Sequence, residues 1–362
     1  MSDSFGISGT VYRWLQDYLR GRSFQVRTGS SASKKYPLEC GVPQGSVLGP
    51  TTFSLYVGSV RVIFDHFELI FHIYADDIQV YCIYDPSVPG ALEQAMLRIR
   101  ECVTALCMHL TCRGLKLNPS KTEFIAFMSA HHLRTHYNRP DLELDGITIY
   151  PVDNVRDLGA FLDTKMNMQA HVNYVCRTCH FHLRQIGLVR RFLTEDACRS
   201  AVLSLVISRL DYCNSLLINI CAGQTSRLQR IQNKAARLVT LTPVRQHITP
   251  ILHDLHWLPV AARIEYKVML CVYKCQQGLA PIYLSELLHP KTRHASLRPL
   301  HDELQLATSV PDLNIGRTAF QYAAPLLWNV LPVEIRRNES VNCFKKQLKT
   351  FLFRRHFNHD LN

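Results

Sequence analysis

The sequence predicts an α+β fold for its first part and an almost wholly helical remainder, and three observations carry that reading. Up to residue 165, short β-branched and aromatic runs alternate with segments of helical period, the pattern of an antiparallel sheet with helices on one face. One run, Phe71–Tyr81, is interrupted only at its centre, as a hairpin would be. Beyond Lys165 the strand pattern stops and apolar positions recur at helical steps. The expected organisation is residues 1–165 as the α+β part, 166–242 as a first helical region and 243–362 as a second.

Gly9–Arg20 is predicted helical, with Val11, Trp14, Leu15, Tyr18 and Leu19 at helical spacing. Ser23–Thr28 and Tyr36–Cys40 are predicted strands, paired across the turn at Gly29-Ser30-Ser31. A helix is expected from Pro50 to Phe64, and an amphipathic one over Gly90–Arg113, where Leu92, Met96, Ile99, Val103 and Leu106 align. Helices are then predicted at Met168–Phe192, Glu195–Ile220, Thr225–Leu241, Ala261–Gln277 and Val341–Arg355. Residues 289–309, with Pro, His and Arg and weak periodicity, read as a loop or linker.

The hairpin run carries the chemistry. In Phe71-His72-Ile73-Tyr74-Ala75-Asp76-Asp77-Ile78-Gln79-Val80-Tyr81, side chains alternate faces, so Phe71, Ile73, Ile78 and Val80 can pack while the tip projects Asp76 and Asp77. Two like charges at a tight turn repel, and hard cations such as Mg²⁺ relieve the repulsion. Carboxylate pairs on hard cations are what phosphoryl and nucleotidyl transfer use. Upstream, Gly41-Val42-Pro43-Gln44-Gly45-Ser46-Val47-Leu48-Gly49-Pro50 is a Gly/Pro-punctuated loop opening a helix. Its glycines permit close backbone approach, and a helix N-terminus offers free N–H groups to an anionic ligand.

In this order and spacing, GVPQGSVLGP followed by YADD resembles the reverse transcriptases of LINE-type (non-LTR) retrotransposons. Residues 114–123, Gly-Leu-Lys-Leu-Asn-Pro-Ser-Lys-Thr-Glu, resemble that family's motif D, and Val155–Asp163 its motif E, the primer-grip hairpin. Leu228–Arg237, Leu255–Val260 and Leu326–Pro332 resemble the C-terminal region of one vertebrate-rich LINE group. The resemblance implies a polymerase palm followed by a helical thumb, acting on an RNA template, a DNA primer and deoxynucleoside triphosphates. It implies that Asp76 and Asp77 hold Mg²⁺ and that Gln44 and Gly45 contact the templating base and incoming nucleotide. Tyr74 would pack on the primer end, and Lys121 would protonate the leaving pyrophosphate.

The same resemblance exposes a gap. The family's third metal-binding aspartate sits in motif A, on a strand upstream of the helix that precedes motif B. Asp3 has no β-rich flank, and Asp17 lies inside a helical pattern. The expectation is therefore a partial palm from an N-terminally truncated polymerase, inactive alone. The alternatives are an active enzyme, if a partner or upstream sequence supplies the third carboxylate, and a nucleic-acid-binding or interaction module.

The 362 residues carry a net charge of +12, which favours a polyanionic partner. No apolar run is long enough to span a bilayer and no secretory leader is visible, so an intracellular location, cytoplasmic or nuclear, is expected. Thirteen scattered cysteines do not form a disulfide framework. Oligomeric state is left open. Arg227, Arg230, Lys234 and Arg237 fall on one helix face, beside Leu228, Ile231, Ala235 and Leu238, and read as a basic ridge for nucleic-acid phosphates. Arg336, Arg337, Lys345, Lys346, Lys349, Arg354 and Arg355 read as a solvated basic cluster. Cys176-Arg177-Thr178-Cys179-His180 spells a haem-attachment pattern but fits an amphipathic helix with Cys179 inward, and is read as such.

Overall fold

Helical spacing at the start of the chain yields α1 (Gly9–Leu19), whose buried residue is Leu15. The computed structural model describes residues 6–39, 41–42, 45–127, 141–144, 146–291, 304–311 and 314–357. The chain divides into two compact units, Met1–Phe124 with His136–Val152, and Ile125–Thr135 with Asp153–Asn362.

In the first unit, β1 (Ser23–Phe24) pairs with β4 (Tyr36–Pro37), and β2 (Arg27–Thr28) with β3 (Ser31–Ala32), so the chain does reverse at Gly29. The expected strand end at Cys40 lies outside the described residues, as does Asp3. The helix predicted after Pro50 is α2 (Gly49–Val57), a 3₁₀ turn at Gly58–Val60 and α3 (Arg61–His66). β5 (Ile70–Tyr74) and β6 (Asp77–Tyr81) form the expected hairpin, and α4 (Ala91–Thr111) the long amphipathic helix. Val57, Val60, Phe64, Leu69, Cys102, Leu106 and Leu110 make the core, and Phe71, Ile73, Ile78 and Val80 pack on it. The Phe64 and Phe71 rings stack at 4.7 Å. β7 (Leu142–Leu144) and β8 (Ile147–Ile149) bury Leu142, Leu144 and Ile149 against Ile99 and Val103 of α4. After the motif-D-like segment, Phe124 makes a single parallel bridge to Pro151. The fold is α+β, but each described strand has a single antiparallel partner, giving separate two-stranded ribbons.

The second unit begins with the motif-E-like hairpin, β9 (Asn154–Asp157) and β10 (Ala160–Asp163). Its turn is set against the helices: the Tyr212 hydroxyl donates to the Leu158 carbonyl, and a Cβ on Gly159 would come within 3.1 Å of the Tyr212 ring. At φ +88°, Gly159 suits both the backbone and the close approach. Asp163 is buried and accepts backbone N–H groups from Lys165, Asn167 and Gln169, fixing the entry to α5 (Gln169–Val189).

Where one helix was expected over Glu195–Ile220, the chain forms α6 (Glu195–Val202), a π turn at Leu203–Ile207 and α7 (Ser208–Asp211). It breaks at Tyr212, and Cys213 adopts φ 51°. Thereafter come α8 (Ala222–Thr240), α9 (Ile248–Asp254), α10 (Val260–Gln276) and α11 (Ile282–Ser285). α12 (Phe320–Asn329), α13 (Val333–Arg336) and α14 (Val341–Phe357) complete the unit.

A single core runs from Met168 to Phe357 and takes residues from both 166–242 and 243–362. Polar side chains lock it where the tail motifs meet. Gln232, fully buried, donates to the Leu258 carbonyl at 2.8 Å, and Gln229 accepts the Val260 N–H at 2.8 Å. Trp328 Nε1 donates to Leu304, and Asn329 both donates to and accepts from the Leu306 backbone. Leu306 is thereby buried, so the end of the expected 289–309 loop is a docked segment, while residues 292–303 lie outside the described residues.

Candidate active site and nucleic-acid interface

The β5–β6 register pairs Tyr74 with Asp77, leaving Ala75 and Asp76 as the turn. Ala75 takes φ 53°, a left-handed value at the first turn position, which the II′ class usually gives to glycine. An alanine held there stores strain on the order of 1–3 kcal/mol, and such outliers concentrate at functional turns. Cross-strand partners share a face, so Tyr74 and Asp77 lie on the face opposite Phe71, Ile73, Ile78 and Val80. Asp76, Asp77 and Tyr74 are all exposed, Tyr74 by 67%. The tip is thus an apolar ribbon anchored in the core with its carboxylates delivered to solvent. Among the described residues no cluster of three or more His, Cys, Asp or Glu side chains can hold a metal. Two carboxylates do fit Mg²⁺, which is commonly bound through one or two of them together with substrate phosphates.

Of the loop residues, Gln44 lies outside the described residues. Gly45 adopts φ +84°, and among the described residues nothing lies within 4 Å of a Cβ placed there. The helix that follows, α2, contributes Phe53 and Val57 to the same core on which the hairpin packs, so the two motifs share one support. Lys121 is exposed at the end of a 3₁₀ turn, Pro119–Lys121, capped by Asn118 through Ser120. No hydrogen bond or ion pair among the described residues joins Lys121 to Asp76 or Asp77.

In the second unit, Arg227, Arg230 and Lys234 line a groove of about 420 Å³ with Asn173, Cys176, Arg177 and His180 of α5. Leu228, Ile231 and Ala235 are buried behind it, as their spacing requires. Arg237 does not join this group. Its guanidinium donates to the carbonyls of Pro243 at 2.5 Å and Gln246 at 2.7 Å, closing the α8–α9 loop. Arg190 is engaged in the same way, donating to the Leu238 and Val239 carbonyls at the end of α8. Arg177 and His180 are the groove residues that the basic ridge alone does not reveal. The readable signal was that Gln169–Val189 contains no Asp or Glu. Partial burial, reinforced by Lys234, holds His180 below the usual imidazole pKa.

The haem-like pentapeptide is split by its helix: Cys179 is buried in the core, while His180 is exposed on the groove. Burial pushes the Cys179 thiol up to about 12, the behaviour of a packed apolar group. Arg336, expected on a solvated cluster, is instead 5% exposed, and burial lowers its pKa. Arg355 pairs with Glu265 of α10.

The first unit thus carries a carboxylate-tipped hairpin and a glycine-loop helix on one core, and the second a cationic helical surface. Residues 2–162 match the family described as "Reverse transcriptase (RNA-dependent DNA polymerase)". The chain is similar to the probable RNA-directed DNA polymerase from transposon BS of Drosophila melanogaster, 27% identical over 264 residues. That match covers 70% of this chain, more than residues 2–162 can supply, so the likeness extends into the helical unit. It is also similar to the probable RNA-directed DNA polymerase from transposon X-element of D. melanogaster, 26% identical over 62% of the chain. The RNA-directed DNA polymerase from mobile element jockey of Drosophila funebris is 23% identical over 46% of it. The chain spans 28%, 24% and 18% of the lengths of these relatives, and no solved structure matches it. The family match and these relatives support its resemblance to the reverse transcriptases of LINE-type, non-LTR retrotransposons. No helix among the described residues is long and apolar enough to cross a membrane.

Proposed function

We propose that this chain carries the paired-carboxylate part of a polymerase site that extends a DNA primer on an RNA template with deoxynucleoside triphosphates. The observation that carries the reading is the exposed Asp76–Asp77 pair on a strained turn, on the same core as the helix that follows Gly45. In this reading Asp76 and Asp77 hold Mg²⁺ together with the nucleotide phosphates. The bound ion would neutralise charge developing on the transferred phosphoryl group. Tyr74, on the face of Asp77, packs against the primer end, and the open backbone at Gly45 admits the nucleotide. Gln44 contacts the template base, and Lys121 serves as the proton donor to pyrophosphate. Arg227, Arg230 and Lys234 take phosphates of the template–primer duplex.

The described residues offer no third ligating side chain beside the pair. Misplacement of reacting groups by about 1 Å can cost on the order of a hundredfold in rate. The chain by itself is therefore expected to give negligible primer extension. The test is extension on an RNA template by the purified chain beside an Asp76→Ala/Asp77→Ala variant. The reading expects equal, background incorporation from both, with template–primer binding retained. Incorporation that disappears in the variant would mean the site is complete, through a carboxylate outside the described residues or from a partner.

A further inference from the structure

We propose that the outer face of α5 is a single-stranded nucleic-acid rail that adjoins the groove α5 shares with α8. The groove itself rests on the functional reading above; the rail adds a second surface and a different ligand form. Along α5 and the 3₁₀ turn that follows, Arg177, Phe181, Arg184, Leu188 and Arg191 recur at four- and three-residue steps, Phe192 lies four beyond Leu188, and all six are exposed. The apolar members are well out of the core: Phe181 is 58% exposed, Leu188 66% and Phe192 73%. The opposite face, with Val172, Val175, Cys179, Leu183 and Ile186, is the buried one, so α5 already has the apolar stripe its packing needs. A second stripe that interleaves large apolar groups with arginines needs another explanation.

Charge selects the occupant. α5 contains no acidic residue, and neither does α8, so every charge on either helix is positive. No ion pair among the described residues engages Arg177, Arg184 or Arg191. These arginines stand one heptad apart, about 10 Å of helical rise per step. Phe181 lies between the first two and Phe192 follows the third, rings able to stack on bases, and Arg191 sits over the Phe192 ring at 4.6 Å. Cations that track phosphates, alternating with platforms for base faces, are what unpaired strands bind; a duplex buries those faces. The rail is continuous with the groove, because Arg177 belongs to both. A strand leaving a duplex held by Arg227, Arg230 and Lys234 has a path along α5.

The test is fluorescence anisotropy of the full chain with labelled oligo-uridylate and with duplex RNA, across salt concentrations. Phe181→Ala/Phe192→Ala is expected to weaken oligo-uridylate binding on the order of tenfold or more, with the salt slope kept and duplex binding little changed. Phe181→Tyr/Phe192→Tyr, which keeps the rings, should restore it. Arg184→Ala/Arg191→Ala should flatten the slope by about 0.7 for each phosphate left without its cation. All six side chains are exposed, and far-UV circular dichroism checks that each variant folds. Wild-type affinity in the phenylalanine variant overturns the rail. Phenylalanine-dependent binding to phosphatidylserine vesicles without such dependence for oligo-uridylate overturns it too, assigning the face to a membrane surface. An Arg230→Ala/Lys234→Ala variant separates the two readings: if it alone loses binding, the groove stands and the rail fails, and if no variant changes anything, both fail.

Discussion

In the first unit the core around the hairpin is small, centred on Phe64, Leu106 and Leu110, and every described strand has one neighbour. In the second, one core reaches from Met168 to Phe357 and is cross-tied by Gln232, Trp328 and Asn329. An isolated two-stranded ribbon is marginal in water and relies on what it packs against. The hairpin that presents Asp76 and Asp77 is thus held by the small core it shares with α2, α3 and α4, while Tyr74, Asp76 and Asp77 face solvent. The cationic helices stand on a large core that leaves their outer faces free to bind. The two units differ in support: the carboxylates of the proposed site sit on the lightly supported element, and the cations proposed to take phosphates on the heavily supported one.

The largest effect that would break this contrast comes from Trp328, which is 1% exposed. Trp328→Ala should remove about 3–5 kcal/mol from the second unit, read as a lower urea midpoint; a loss near zero would mean the core is not tied through α12. Next, Gln232→Ala leaves the buried Leu258 carbonyl without its donor and should cost about 1–3 kcal/mol by the same measurement.

A pH series sharpens the contrast further. His171 is buried at the start of α5, where its Nδ1 accepts the Phe161 N–H, and burial lowers its pKa from the ordinary 6.5. The unfolded chain then takes up the proton first as pH falls. Stability is whole above the ordinary pKa and is lost as pH drops from there toward the depressed folded value. The urea midpoint of the second unit should be lower at about pH 5.5 than at about pH 7.5. His356, also lowered by burial, acts in the same direction. The smallest effect belongs to the turn: Ala75→Gly relieves the left-handed alanine and should raise the stability of the first unit by about 0.5 kcal/mol, since glycine's own entropy cost offsets part of the gain.

Much of this was legible in the residues. Alternation gave the inward set Phe71, Ile73, Ile78 and Val80, because a single-residue slip would turn Phe71 and Ile73 outward, but the turn falls at Ala75 and Asp76 with Asp77 already in the strand, not at an Asp76–Asp77 tip. The long amphipathic helices α4, α5, α8, α10 and α14 follow their apolar period closely. The short helices α9, α11, α12 and α13 did not announce themselves, since each holds only because a large core receives it. The break at Tyr212 was hidden for a similar reason: it serves the turn at Leu158 and Gly159, distant in sequence. In the candidate sites, residue type singled out Asp76 and Asp77, which the structure exposes at the turn, whereas Arg237 shows the limit of charge counting. It shares the ridge spacing with Arg230 and Lys234, yet two loop carbonyls occupy it.

Asp76 and Asp77 are proposed to form a metal-binding pair completed by nucleotide phosphates. Electron paramagnetic resonance of Mn²⁺ with the full chain, with and without a deoxynucleoside triphosphate and template–primer, tests it without requiring turnover. The account predicts a nucleotide-dependent bound Mn²⁺ population that falls on the order of tenfold in affinity in Asp76→Asn/Asp77→Asn, two exposed positions where folding is preserved. Equal Mn²⁺ binding by the wild type and this variant would contradict it.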